Sequence, residues 1–290
     1  MQARLWRNHM EKQFQDRQTY WNLRSISRLG QDVNGNSSIC LIIDGMDRAK
    51  WSVPRSAVLA AKSLNGLQRP NLDCTGIIVH GHMVCTAFGY PGVIKGANWT
   101  CELLTFVFDK LVQSGIDLRH YEINLQSDNA TKESKNNSVA RMLSFYVSRG
   151  LIRCARMHYC VSGHSHEDID QYFSLLGSYL QTQSELHDPE QFAESLRRYL
   201  SNTSVRPLER MREVVQVDQV RDWLSSRNPK YFARFSFQSF FSRKKQVYFV
   251  SPPFQGEAKD DASSHSLSWQ LSERDGRAWC SPCICFRSVR

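Results

Sequence analysis

One apolar run near the start of the chain restricts the fold more than any other feature. Residues 39–43 are continuously apolar, and the run ends in Asp44 and Gly45. A continuously apolar strand is typical of a sheet that is covered on both faces, so the run predicts a buried strand. A carboxylate at the end of such a strand is costly to bury unless it is paired or binds a metal. Asp44 is therefore a turn cap, an ion-pair partner of Arg48, or a functional acid.

The elements that follow alternate between strands and helices, which favours an α/β fold with a mixed five-stranded sheet flanked by helices. Glycine and proline residues separate the elements and mark their ends. The predicted strands are 39–45, 73–80, 83–90, 121–127 and 152–161, and the predicted helices are 4–25, 98–114, 137–149, 189–200 and the one that follows residue 166. The segment 214–225 fits a strand or a helix equally well.

The richest cluster of polar functional groups lies at 161–173, where the sequence is VSGHSHEDIDQYF. On the helix that begins here, His166 and Asp170 are one turn apart along one edge of the apolar face. Asp168 flanks the opposite edge, and Glu167 is expected to point away from the face. All three acids stay open, and Asp170 is preferred because it shares an edge with His166. The alternative is a solvated helix N-terminus, since acids in a first turn favour the helix dipole.

Three acids fall where a single site can form. Asp44 and Asp128 each end a predicted strand, and Asp170 lies on a helix that can pack beside them. Three converging carboxylates in a basic protein suit two divalent metal ions that cleave a phosphodiester. Hard oxygen ligands favour Mg²⁺ or Mn²⁺. The lysines expected to neutralise substrate phosphate are Lys50, Lys132 and Lys135.

The bulk composition predicts a basic intracellular protein. The 290 residues include 37 Lys and Arg against 28 Asp and Glu, which gives a net charge of +9. This charge suits a nucleic-acid partner, and DNA is the preferred candidate. Nine cysteines without a disulfide framework, and no signal peptide, indicate a reduced intracellular chain. No apolar run approaches the length of a membrane helix, so no membrane partner is expected. A homo-oligomer is left open.

Four motifs in a fixed order carry a resemblance to a known family. They are IDGMDRAKWSVPR at 43–55, RP and HGH at 69–70 and 80–82, QSDN and KNN at 126–129 and 135–137, and GHSHEDIDQYF at 163–173. Over most of residues 1–225 the chain resembles an uncharacterised domain family of transposon-derived eukaryotic proteins with an RNase H-like fold. The resemblance implies a nuclear protein with a DDE/D transposase-type core. It also implies that Asp44, Asp128 and Asp170 bind metal and that His166 assists.

Two alternatives stay open for the function. In the first, the chain is an RNase H-like scaffold that binds nucleic acid or protein without catalysis. In the second, His164 and His166 belong to a metallophosphoesterase, because GHSH resembles the closing motif of the calcineurin-like enzymes. The chain lacks the D-x-H and G-N-H-E motifs of those enzymes. It also lacks the final histidine that a metallo-β-lactamase motif requires, because Ile169 stands there.

The predicted organisation has four parts. They are an N-terminal helix at 1–30 packed on the core, an RNase H-like core at 31–185, an extension of helix and strand at 186–250, and a disordered tail at 251–290 whose composition is polar.

Overall fold

The computed structural model describes residues 2–46, 53–56, 66, 72–90, 92–128, 130, 132–159, 167–183, 185–202, 209–221, 223, 246–250, 269–270 and 285–287. Two of the predicted site residues, Lys50 and His166, lie outside these ranges. His164 of the metallophosphoesterase alternative also lies outside them.

Eleven strands occur in the described residues. Their bounds are β1 Ser38–Gly45, β2 Arg55–Ser56, β3 Asp73–Val79, β4 Met83–Gly89, β5 Glu122–Ser127, β6 Cys154–Tyr159, β7 Glu185–Leu186, β8 Met211–Val217, β9 Gln246–Val250, β10 Trp269–Gln270 and β11 Cys285–Arg287. Nine of them form one sheet in the order β10-β11-β9-β6-β5-β1-β3-β4-β8, and β2 pairs with β7 separately.

The middle of the large sheet is mixed in direction. β1, β5 and β6 are parallel to one another, whereas β3 is antiparallel to β1 and β4 is antiparallel to β3. β8 extends the sheet beyond β4 in a parallel register. Because β1, β5 and β6 run the same way, their carboxyl ends meet at one edge of the sheet. This edge is where ligands bind in open α/β sheets.

Two of the five α-helices in the described residues start at a side chain that caps the helix. Their bounds are α1 Gln2–Leu29, α2 Ala97–Gln113, α3 Asn137–Ser148, α4 Asp168–Thr182 and α5 Pro189–Ser201, with a short 3-10 helix at Leu118–His120. Asn136 caps α3 by accepting the backbone N–H groups of Ser138 and Val139. Asp188 caps α5 in the same way through Gln191 N–H, with Pro189 at the first helical position.

Helices cover both faces of the sheet, as the apolar run in β1 predicts. Ile39, Leu41 and Ile43 face the core that α2 and α3 cover, while Cys40 and Ile42 face the core that α1, α4 and α5 cover. All five side chains are at most 4% exposed. A fully buried aliphatic side chain contributes about 1.5–3 kcal/mol to the free energy of unfolding. Because β1 places such side chains in both cores, this one strand joins the two cores.

The turn between β3 and β4 shows how closely α1 packs on the sheet. Gly81 occupies this turn with a positive φ of 82°, a conformation that favours glycine. A Cβ atom on Gly81 would lie 3.0 Å from the Cα of Arg28 and 3.2 Å from the carbonyl oxygen of Ser27. A side chain at this position would therefore press against the last turn of α1.

The predicted α/β class, with a mixed sheet flanked by helices and an N-terminal helix, is confirmed. Six strands lie between Ser38 and Val217 in the sheet, one more than predicted, because the ambiguous segment near residue 214 forms β8. Of the tail predicted at 251–290, the structure describes only β10 and β11. Within the described ranges, no helix combines the length and the apolar character needed to cross a membrane.

Candidate active site

The candidate site begins at the ends of two adjacent parallel strands. Ile43 of β1 pairs with Ser127 of β5, so Asp44 and Asp128 are the next residues on neighbouring strands at the same edge of the sheet. Both residues line a pocket there together with Glu167, which immediately precedes α4. The other lining residues are Ile42, Ile43, Gln126, Ser127 and Ile169. The pocket therefore joins β1, β5 and the start of α4.

Asp44 has the most perturbed carboxyl group in this pocket. The pKa of Asp44 is raised from 3.8 to about 6, chiefly by burial and to a smaller extent by the negative charges of Asp128 and Asp170. The backbone N–H of Gly45, which donates to Asp44 Oδ1 at 2.7 Å, and the charge of Lys95 act in the opposite direction. The three predicted acids thus lie close enough to interact electrostatically.

The loop after β5 holds Asp128 in place. Oδ1 of Asp128 accepts the backbone N–H of Ala130 at 3.0 Å and the hydroxyl of Ser134 at 3.2 Å. The carbonyl oxygen of Ala130 in turn accepts the N–H groups of Glu133, Ser134 and Lys135, which closes the loop into a tight turn. The polar loop that follows the strand therefore orients the acid that ends it.

Asp170 is oriented by the first turn of α4. Its Oδ2 accepts the backbone N–H of Glu167 at 3.0 Å, which places the third residue of the helix over its N-cap. Asp168, by contrast, is bound by Arg24 of α1 at 2.7 Å and 2.8 Å. Of the three acids that the sequence leaves open, Asp170 acts on Asp44, whereas Asp168 is engaged elsewhere.

One prediction about this turn is wrong. Glu167 was expected to point away from the apolar face, yet its carboxylate lies 3.2 Å from Arg17 Nε of α1, and the residue lines the pocket with Asp44 and Asp128. The physical reason is that α4 begins only at Asp168, so Glu167 is the N-cap with an extended backbone (φ −130°). A helical wheel that includes Glu167 therefore gives it the wrong direction.

Lys95 belongs to this edge of the sheet and was not predicted. The side chain is 9% exposed, and its Nζ lies 3.0 Å from Glu133 Oε2. Nζ also lies against Gly45, where a Cβ atom would collide with it. The only available signal was the glycine directly after the strand acid, since Lys95 itself lies in a loop between Gly92 and Gly96 that carries no motif.

The predicted phosphate-binding lysines differ in position. Lys135 is half-buried, and its Nζ lies 5.0 Å from the ring centroid of Tyr159. Tyr159 pairs with Ser127, so Lys135 is held at the same edge of the sheet as the acids. Lys132 is exposed in the adjoining loop. Lys50 lies outside the described residues.

Metal ligation is not preformed in the part of the chain that the structure describes. No group of three or more His, Cys, Asp and Glu side chains there is arranged to hold a metal ion. One oxygen each of Asp44, Asp128 and Asp170 accepts a backbone N–H instead. The carboxylate oxygens are nevertheless the donor type that Mg²⁺ and Mn²⁺ prefer.

The fold and the site define an α/β protein whose mixed sheet gathers acidic side chains at the carboxyl ends of its parallel strands. Residues 62–249 match the family model described as Domain of unknown function (DUF7869). The match spans more than half of the 290 residues, so the chain belongs to this family. No curated protein and no solved structure matches the chain. The matched range includes Asp128 and Asp170, whereas Asp44 and α1 precede it.

Proposed function

We propose that the protein is a transposon-derived RNase H-like enzyme that cleaves or transfers phosphodiester bonds in DNA with the help of divalent metal ions. Asp44, Asp128 and Asp170 are the proposed metal ligands, and His166 is proposed to assist. The observation that carries the proposal is the placement of the acids. Asp44 and Asp128 end adjacent parallel strands and line one pocket with the start of α4, and Asp170 of α4 is near enough for its charge to act on Asp44.

The order of the strands supports the proposal. In the series β6-β5-β1-β3-β4, three parallel strands adjoin an antiparallel hairpin. On one face, α2 connects β4 of the hairpin to β5, and α3 connects β5 to β6. This is the arrangement that the resemblance to RNase H-like proteins implies. The first acid ends the central strand, the second ends its parallel neighbour, and the third lies on the helix after the last parallel strand.

The charge balance of the pocket fits a divalent metal ion. Burial and two neighbouring negative charges disfavour ionised Asp44, and a cation bound between the acids would remove that repulsion. Mg²⁺ and Mn²⁺ match the oxygen donors. If bound there, such ions would supply activation of the attacking oxygen and stabilisation of the leaving oxygen of a phosphodiester. The chain itself holds the carboxylates in place through the N–H groups of Gly45, Ala130 and Glu167.

Basic residues around the pocket suit a phosphate-bearing substrate. Lys135 is held at the edge of the sheet by Tyr159, and Lys95 is held beside Asp44 by Glu133. Together with Lys132 they supply positive charge close to the acids, in a chain whose net charge is +9. A DNA backbone is therefore the proposed substrate, and a nuclear location goes with it.

Cleavage of supercoiled plasmid DNA in Mn²⁺ tests the proposal. We expect the wild-type chain to nick the plasmid, and Asp44→Asn, Asp128→Asn and Asp170→Asn each to reduce the rate by about 100-fold or more, because each removes a ligand charge. Asp109→Asn is the matched control, since Asp109 is exposed on α2 some 20 Å along the helix from its start. It should cleave at the wild-type rate.

Two outcomes would contradict the proposal. If wild type and all variants lack cleavage and bind DNA equally, the chain is the non-catalytic scaffold that the sequence leaves open. If His164→Ala abolishes cleavage while the three aspartate variants retain it, the chemistry is that of a metallophosphoesterase.

A further inference from the structure

The two acids at the start of α4 are both bound by α1. Nη1 of Arg24 donates to both carboxylate oxygens of Asp168, at 2.7 Å and 2.8 Å. The carboxylate of Glu167 lies 3.2 Å from Arg17 Nε and accepts a hydrogen bond from Trp21 Nε1 at 3.3 Å. Acids at a helix N-terminus are favourable without any partner. Two hydrogen-bond donors and one ion-pair partner from one distant helix therefore indicate a specific contact between α1 and α4.

The three side chains that contact these acids form one surface of α1. Arg17, Trp21 and Arg24 are four and three residues apart, so they lie on the same side of the helix. Tyr20, on the neighbouring face, also reaches Asp168, with its hydroxyl 3.4 Å from Oδ2. We call Arg17, Trp21 and Arg24 the α1 clamp. Residues 4–12 of the same helix are all exposed, so the contact belongs to the second half of α1.

The second half of α1 is fixed to the strands that carry the candidate site. The hydroxyl of Ser27 accepts the backbone N–H of Cys40 in β1 at 3.0 Å and donates to the carbonyl oxygen of His80 at 2.7 Å. The hydroxyl of Tyr20 lies 2.7 Å from Nε2 of His80, a buried ring that burial keeps neutral by lowering its pKa to about 3. β1 is the strand that ends in Asp44, so α1 joins that strand to α4.

We propose that the α1 clamp positions Asp170 at the candidate site by holding the first turn of α4 against the sheet. A single hydrogen bond links Asp170 to a residue that the clamp holds, because Asp170 Oδ2 accepts the N–H of Glu167. Arg17 and Arg24 are thus positioning residues that act through Glu167 and Asp168. The consequence for metal binding rests on the proposed function, whereas the clamp can be measured without it.

The geometry of the Arg24 contact makes it stronger than an ordinary surface ion pair. One guanidinium nitrogen reaches both oxygens of the carboxylate, and each of the two side chains is only about a quarter exposed, at 26% and 25%. Charge-assisted hydrogen bonds of this kind are about twice as strong as neutral ones. The Arg17–Glu167 ion pair adds a second charged contact at the start of α4.

Hydrogen exchange of α4 tests the clamp directly. In Arg24→Gln and Arg17→Gln, we expect the amides from Gln171 onward in the first two turns of α4 to exchange roughly tenfold faster than in wild type. Arg7→Gln is the matched control, because Arg7 is an exposed arginine of the same helix. It should leave the exchange unchanged. Arg24→Lys should lie between, because an ammonium keeps the charge but lacks the rigid, planar geometry of a guanidinium.

The exchange of α3 serves as the internal standard. If the amides of α3 accelerate as much as those of α4, the substitution loosens the whole domain and the positioning role is overturned. It is also overturned if Arg24→Gln and Arg7→Gln give the same exchange in α4.

Mn²⁺ binding separates the clamp from the proposed function. We expect Arg24→Gln to weaken Mn²⁺ binding several-fold while the protein stays folded. If wild type binds no Mn²⁺, the proposed function fails, while the exchange result still decides whether the clamp exists. If wild type binds Mn²⁺ and Arg24→Gln binds it equally despite faster exchange in α4, the clamp does not position Asp170 and the inference is overturned.

Discussion

At the scale of single residues, Asp44 shows most clearly how burial disfavours an ionised side chain. The side chain ends a strand whose other residues are buried, and two further acids act on it. Since its pKa lies near 6 in the folded chain and near 3.8 in an unfolded one, the folded state retains the proton more strongly. The stabilising effect of the protonated form is fully present below about pH 4 and is lost as the pH rises through 6.

Asp44→Asn should therefore change how stability depends on pH in the metal-free protein. An amide cannot ionise, so the free energy of unfolding of the variant, relative to that of wild type, should increase by about 1 kcal/mol between pH 5 and pH 8. Urea unfolding in the presence of a chelator at the two pH values measures the difference. Asp109→Asn, with its exposed side chain, should show no such change. A difference between Asp44→Asn and wild type that does not vary with pH would contradict this account of Asp44.

The residues that sequence reasoning missed share a physical cause. The sequence identifies Asp44 and Asp128, because each directly follows the apolar pattern of a predicted strand. Lys95 has no such mark, since its position depends on the space that Gly45 leaves beside a strand 50 residues earlier in the chain. The direction of Glu167 depends on Arg17 of α1 in the same way. Contacts between distant segments leave little trace in a local pattern.

At the scale of elements, α4 is held on the sheet by a close approach to β3. Its predicted apolar face is buried, with Ile169, Phe173, Leu176 and Leu180 at most 8% exposed. The approach depends on Gly76 of β3, where a Cβ atom would lie 2.7 Å from Phe173 Cε1 and 3.0 Å from Ile169 Cδ1. The helical period predicts the buried face, but only the packing shows why a glycine stands opposite it.

Two glycine-to-alanine substitutions should therefore have opposite effects. Gly76→Ala forces Phe173 away from β3 and should lower the free energy of unfolding by about 1–3 kcal/mol. Gly177→Ala is the matched control, because no atom lies within 4 Å of its added Cβ and it lies inside α4. It should raise the free energy of unfolding by roughly 0.5–1 kcal/mol. Equal effects in a denaturant titration would contradict the packing of α4 on β3.

At the scale of the whole molecule, the sheet brings together residues that are far apart in the chain. The α/β class and the five predicted strands follow from apolar periodicity, because each strand and helix has its own local pattern. β8 does not follow, since its residues are only partly buried and its pairing with β4 crosses about 120 residues. The convergence of the acids needs the parallel register of β1 and β5, which local patterns do not contain.

The central claim is that these acids form a working metal site, and Mn²⁺ binding tests it most directly. The loss of the electron paramagnetic resonance signal of free Mn²⁺ measures binding to wild type, Asp128→Asn and the Asp109→Asn control. We expect wild type and Asp109→Asn to bind Mn²⁺ alike and Asp128→Asn to bind it at least about tenfold more weakly. Equal binding by all three proteins, or no binding by wild type, would contradict it.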